Sequence, residues 1–168
     1  MQMTEGFEAF VTARGDALIR LAFLLCGDTH DARDLVQEVL IKTHRHWDRV
    51  AATDLPEAYV RKILIHEHAS WRRRWYRRNV VAVGDVPDTP LDGGQSALPD
   101  RSAWWQLLST LPRRQRAVLV LRYYEGLSDS EIAVVLQCSD GTVRSHASRA
   151  LATLRARNDL ATIGATNG

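Results

Sequence analysis

The stretch SDSEIAVVLQCSDGTVRSHASRALATLR, Ser128 to Arg155, decides the fold. It opens with the spacing of a capping box: the Ser128 hydroxyl accepts the third helical N–H, and Glu131 reaches back to the Ser128 N–H. A helix carrying Ile132, Ala133, Val135 and Leu136 follows and halts in a turn at Gln137-Cys138. Ser139 or Asp140 then caps a longer helix to about Arg155. Two helices around a tight turn make a helix-turn-helix. In the second helix Val143, Ala147, Ala150, Leu151 and Leu154 face inward, whereas Ser145, Ser148, Arg149 and Arg155 face outward, flanked by Thr142, Arg144 and His146. Arginines bond guanine edges or phosphates and hydroxyls fit either strand, so the outward face suits a DNA major groove. The alternative is an amphipathic helix whose polar side meets only water. Gln137 holds the turn position where glycine is common and φ is often positive, at a cost of roughly 1 kcal/mol, so a slightly reshaped turn is expected.

Upstream, WWQLLSTLPRRQRAVLVLRYYEGLS, Trp104 to Ser128, predicts a helix with Trp104, Leu107, Leu108 and Leu111, a break at Pro112, and a second helix. In that second helix Val118, Leu119, Leu121 and Tyr124 are expected to pack towards the helix-turn-helix, and the Trp and Tyr residues read as core rather than stacking platforms. Residues 80–100 carry three of the five prolines, a Gly-Gly pair and no positive charge, the composition of a linker. On either side apolar residues recur at three and four, and strand-like alternation is scarce. The expected fold is all-α: a helical domain over 1–79, a flexible acidic linker over 80–101, a second helical domain over 102–157 and a flexible tail over 158–168.

The net charge of +2 hides strong segregation. Residues 1–60 hold ten acidic against six basic side chains, and residues 79–100 hold four acidic and no basic ones. Residues 61–78 reverse this with seven basic against one acidic, and residues 101–168 hold nine against five. Two separated basic blocks favour a polyanionic partner, although a basic stretch is also an ordinary solvated face. The start, MQMTEGFEAF, lacks a basic beginning and an apolar segment, and no apolar run approaches the ~20 residues of a membrane span, so a soluble, untargeted protein without membrane insertion is expected. Cys26 and Cys138 fall in different domains and read as free thiols, mostly buried.

In DTHDARDLVQEVLIKTHRHWDRV, Asp28 to Val50, the residues Leu35, Val36, Val39, Leu40 and Trp47 share one helical face. Asp34, Gln37, Glu38, Ile41 and Arg45 line the other, and Ile41, an apolar residue in a polar stripe, suggests a protein contact. Asp28, Asp31 and Asp34 suit a helix start. Asp54 is a candidate cap, with Pro56 in the first turn, for the helix YVRKILIHEHASWRRRWYRRN. There Val60, Leu64, Trp71 and Trp75 fall on one face with the core, whereas Lys62, His66, Arg73 and Arg77 fall on the opposite face and form a ridge suited to a phosphate backbone; Ala69 lies between. Aromatic residues near the end, Tyr76 above all, are placed to stack on unpaired bases. His66-Glu67-His68 lacks the spacing that puts two imidazoles on one helical face, so no metal and no cofactor are expected.

Together DARDLVQEVL, the basic tryptophan-containing helix, the acidic linker and LPRRQRAVLVLRYYEGLSDSEIAVVLQCSDGTVRSHASRALATLR resemble an extracytoplasmic-function sigma factor over nearly the whole chain. The leading FEAFVTARGDALIRLAFLLCGD resembles the SigE-type family of high-GC bacteria, which suits twenty arginines against two lysines. The resemblance implies a cytoplasmic, dissociable subunit of bacterial core RNA polymerase that recognises promoter DNA, helps melt it and has no active site of its own. It implies that Asp34, Gln37, Glu38, Ile41 and Arg45 contact the polymerase clamp. The loop Arg49 to Glu57 and the helix residues Lys62, His66, Arg73, Arg74, Tyr76 and Arg77 would engage the minus-ten element, where a base is flipped from the stack. Thr142, Arg144, Ser145, Ser148, Arg149 and Arg155 would read the minus-thirty-five element. His66 stands where related chains often carry asparagine, and an anti-sigma factor is left open as a further partner. A free-standing helix-turn-helix regulator is the main alternative, but its sensor lobe is usually built on a sheet. A metal-dependent hydrolase using His44, His46, His66 and His68 with the aspartates lacks a ligand set of convincing spacing.

Overall fold

The structure, a computed structural model, describes residues 2–79 and 103–166; the expected linker and the side chains of Trp75, Tyr76 and Trp104 lie outside the described residues. All regular elements among the described residues are helical, and they form two compact units, residues 2–79 and 103–166.

In the first unit α1 (Gln2–Cys26) packs on α2 (Thr29–Arg45) and on α4 (Pro56–Asn79), with the short α3 (Trp47–Ala51) between the last two in the chain. α1 stops where Gly27 takes φ +76 and donates to the Phe23 carbonyl at 2.7 Å, a left-handed ending that side chains rarely adopt. Asp28 caps α2, accepting the Asp31 N–H at 2.9 Å. The core is the apolar stripes of these helices: Leu18, Leu21 and Leu25 of α1, Leu35, Val36 and Val39 of α2, and Val60 and Leu64 of α4 are all buried.

α2 does not continue to Trp47 as one face, contrary to the sequence reading. His46 leaves the helix at φ −126 and its N–H returns to Thr43 and His44. Thr43 is buried and its hydroxyl donates to the Val39 carbonyl at 2.8 Å, a local bond that competes with the helical ladder. The restart as α3 lets Trp47 meet Phe7 and Phe10, with ring centroids 5.4 and 5.2 Å away. α4 begins at Pro56 with the Leu55 carbonyl accepting the Tyr59 N–H, so Leu55 holds the cap position expected for Asp54.

The second unit runs α5 (Ala103–Leu108), α6 (Arg113–Leu119), a π-helical turn (Val120–Tyr124), α7 (Asp129–Leu136) and α8 (Asp140–Thr166). Leu107 and Tyr124, read as packed, are exposed, whereas Leu108, Leu111, Leu119, Val120 and Leu121 are buried. The π turn explains Tyr124: its wider spacing carries the last residue off the 3.6-residue stripe that Val118 begins. Arg116 is fully buried, its guanidinium carbon 5.7 Å from the Trp105 ring centroid. Gly126 reverses the chain at φ +70, and Arg122 grips Asp129 with Nε–Oδ1 at 3.0 Å and Nη2–Oδ2 at 2.7 Å, fixing the entry to α7.

The expected capping box is present: Ser128 Oγ accepts the Glu131 N–H at 3.2 Å and the Ser128 N–H donates to Glu131 at 2.8 Å. α7 ends with Gln137 at φ 53, ψ 50, while Cys138 N–H reaches the Ala133 carbonyl at 3.0 Å. The turn is therefore the usual left-handed helix ending, made with a glutamine that bears the strain. Ser139 rather than Asp140 caps α8, accepting the Thr142 N–H at 3.1 Å, and Asp140 instead accepts from the Ser130 hydroxyl at 2.8 Å, joining α8 to α7. α8 runs to Thr166, past the end expected near Arg155 and into the segment expected to be a tail; NDLATIGAT contains no proline and only one glycine to oppose the helix.

Gln137→Gly should stabilise the helix-turn-helix by about 1 kcal/mol, with hydrogen exchange of the α7 amides slowing about fivefold. Ser128→Ala should act oppositely, costing about 1 kcal/mol in the same measurement.

Candidate functional site

Burial of Val143, Ala147 and Ala150 sets the rotation of α8. Arg144, Ser145, Ser148, Arg149 and Arg155 are consequently exposed on its other side. Thr142 is half-buried, and its hydroxyl lies 2.9 Å from the Ser139 hydroxyl, so it serves the helix start as well as the exposed face. The face offers three guanidinium groups and two free-standing hydroxyl positions, with no acidic residue between Thr142 and Arg155. That set can bond phosphates and purine edges.

On α4 the buried side is Val60, Leu64, Ile65, His68 and Ala69. At 100° per residue Lys62, His66, Arg73 and Arg77 span an arc of about 60°. Lys62, His66 and Arg77 are exposed, as is Arg74 beside them, and Arg73 is half-buried. Arg49 belongs to α3 rather than to a loop, and Leu55 and Tyr59, at 70% and 46% exposure, continue the open surface at the start of α4. His66, Glu67 and His68 point apart: His66 is exposed, His68 is buried and Glu67 is held by Lys42. Among the described residues no three His, Cys, Asp or Glu side chains converge as a metal-holding group.

The stripe Asp34, Gln37, Glu38, Ile41 and Arg45 lines one open groove of about 430 Å³, together with Lys42 and Trp71. Ile41 is half exposed in it. Trp71, expected inside with Val60 and Leu64, is only half-buried, and its indole N–H donates to Glu38 Oε2 at 2.7 Å. Lys42 Nζ donates to both oxygens of Glu67, at 2.6 and 2.8 Å, and lies 3.3 Å from Glu38 Oε1. The Glu67 bond lifts the Lys42 pKa above the ordinary lysine value; desolvation opposes the rise and Glu38 adds to it. The ammonium is therefore charged at neutral pH, and its contribution to the bridge is lost as pH climbs beyond the lysine range. An apolar floor ringed by charges of both signs is suited to docking another protein.

Sigma-70 region 2 matches residues 10–78 of the chain, and sigma-70 region 4 matches residues 101–154. The RNA polymerase sigma-E factor of Streptomyces avermitilis is 39% identical over 151 residues, covering 89% of this chain and 83% of the relative. The ECF RNA polymerase sigma factor SigL of Mycobacterium tuberculosis is 34% identical over 146 residues, 82% of this chain and 80% of the relative. The chain is an RNA polymerase sigma factor of the extracytoplasmic-function group. Among solved structures, the sigma factor RpoE of Bartonella quintana, crystallised with the anti-sigma factor NepR, is 28% identical with a TM-score of 0.55, covering 90% of this chain and 95% of that one. This sigma factor thus carries both sigma-70 region 2 and sigma-70 region 4, and a free-standing regulator is not favoured.

Sequence reasoning missed Lys42, Glu67 and Trp71 as members of the groove cluster. One signal pointed to them: Glu67 is the single acidic residue in the basic block 61–78, and Glu38-Lys42 has the spacing of a helical ion pair.

Proposed function

We propose that the sigma factor divides promoter opening between its two units, with residues 1–79 acting as sigma domain two, 102–157 as sigma domain four and 80–101 as the tether. It works in the cytoplasm as a dissociable, non-catalytic subunit of core polymerase. The α2 stripe Asp34, Gln37, Glu38, Ile41 and Arg45 docks on the polymerase clamp. α4 engages the minus-ten element through Lys62, His66, Arg73, Arg74, Tyr76 and Arg77, and α8 reads the minus-thirty-five element through Thr142, Arg144, Ser145, Ser148, Arg149 and Arg155.

The observation that carries this reading is the pair of opposed faces on α4: an apolar face buried against α1 and α2, and a narrow cationic arc directed away from it. A ridge of that kind follows a phosphate backbone, and the exposed Leu55 and Tyr59 at its start provide apolar surface against which an unstacked base can rest. The complex of the Bartonella quintana neighbour with NepR supports an anti-sigma partner here too.

Arg149→Ala should weaken minus-thirty-five binding by about 1–3 kcal/mol on both linear and pre-melted templates, whereas Arg73→Ala should slow transcription on the linear duplex and be rescued by pre-melting. In vitro transcription with core polymerase separates the two; rescue of both or of neither would contradict the division. Ile41→Glu should lower core-polymerase affinity in a pull-down at least tenfold, about 1.4 kcal/mol, while helicity by circular dichroism stays unaltered.

A further inference from the structure

Four side chains tie α2 to α4 at the rim of the docking groove. Glu38 and Lys42 come from α2, Glu67 and Trp71 from α4. Glu38 divides its oxygens: Oε2 takes the Trp71 N–H at 2.7 Å and Oε1 faces Lys42 at 3.3 Å. The same ammonium holds Glu67, whose side chain is only 14% exposed. Two carboxylates share one cation and one N–H donor, so the cluster retains a surplus negative charge beside the half-exposed Ile41. A cation brought into the groove by a partner can compete for Glu38, which both lines the groove and bonds the helix behind it.

The consequence reaches the ridge. Trp71 immediately precedes Arg72, Arg73 and Arg74, and an α-helix moves as a rigid body over a single turn of about 5.4 Å. Whatever fixes Trp71 against α2 therefore fixes the rotation at which Arg73 and Arg74 meet DNA. The buried residues of α4 near Trp71 are Leu64, Ile65, His68 and Ala69, and the apolar contacts among them are less directional than a hydrogen bond.

We propose that Trp71 is a positioning residue for strand opening: its N–H bond to Glu38 sets the rotation of the α4 ridge, and occupation of the groove by core polymerase acts on the ridge through that bond. This rests on the stripe and ridge assignments made above. Trp71 then contributes to opening without bonding DNA itself, and Lys42 with Glu67 holds the same register from the adjacent turn.

The test uses holoenzyme formed at saturating sigma factor, so that differences in core affinity drop out, and follows open-complex formation on duplex and on pre-melted promoter. Trp71→Phe keeps an aromatic ring and removes the donor; it should slow opening on duplex about three- to tenfold, the range of one hydrogen bond, and pre-melting should restore the rate. In a Glu38→Leu background, where the acceptor is gone, Trp71→Phe should have no further effect. Glu67→Gln, a milder change in the same cluster, should slow duplex opening in the same direction and keeps the idea exposed should Trp71→Phe fail to fold. Additive effects of Trp71→Phe and Glu38→Leu, an equal loss on both templates, or full opening rates in Trp71→Phe or Glu67→Gln at saturation would overturn it. Ile41→Glu reads the docking assignment separately: unaltered core affinity there removes the stripe, whereas weakened affinity with additive Trp71 and Glu38 effects removes only the coupling.

Discussion

The burial of one face of α4 is the constraint on which the rest depends. Val60 and Leu64 are fully buried, Ile65 and Ala69 nearly so, and together they hold that face of the helix on α1 and α2. Burying each aliphatic side chain contributes about 1.5–3 kcal/mol, far more than the surface electrostatics of the cationic arc can oppose. The repulsion among Lys62, Arg73, Arg74 and Arg77 is therefore tolerated because the apolar face outweighs it. Strong charge is kept on the surface, where a polyanion can neutralise it. The same logic holds in the second unit: Val143, Ala147 and Ala150 fix α8, and the small side chains Ala147 and Ala150 let that helix approach its neighbours closely.

Several ion pairs lie at element junctions. Arg122 with Asp129 secures the start of α7, Arg14 and Arg61 hold Glu57 at the start of α4, and Lys42 with Glu67 joins α2 to α4. Acidic partners thus neutralise the structural cations and leave Arg144, Arg149 and Arg155 facing solvent. The segregation visible as alternating blocks in the sequence is sharpened by this pairing. Basic residues whose neighbours are acidic become struts, and those without acidic neighbours remain available to a ligand.

Local chemistry was readable from sequence, and distant chemistry was not. The capping box at Ser128 and the left-handed ending at Gln137 involve bonds within six residues, so spacing alone exposes them. The stripe from Asp34 to Arg45 follows helical period and occupies one groove. Period counting fails where the period changes: the π turn displaces Tyr124, and α2 ends at Arg45, two residues before Trp47. It also fails across the sequence. Trp71 and Glu38 stand 33 residues apart and Lys42 and Glu67 stand 25 apart, and their meeting depends on how α2 and α4 pack, which no residue pattern states.

Each unit presents a short helical surface, and a single bidentate base contact discriminates by only about 1–3 kcal/mol. Two such surfaces on separate cores gain little from each other unless their separation is held. Fixing that separation turns the second contact into an intramolecular one, so that avidity rises without any new base contact. On the proposed function, core polymerase docking the first unit through the α2 groove and receiving the second elsewhere would supply that fixation. Promoter selectivity would then be a property of the assembly: the free factor would hold the proposed reading surfaces, and the polymerase would supply the distance between them.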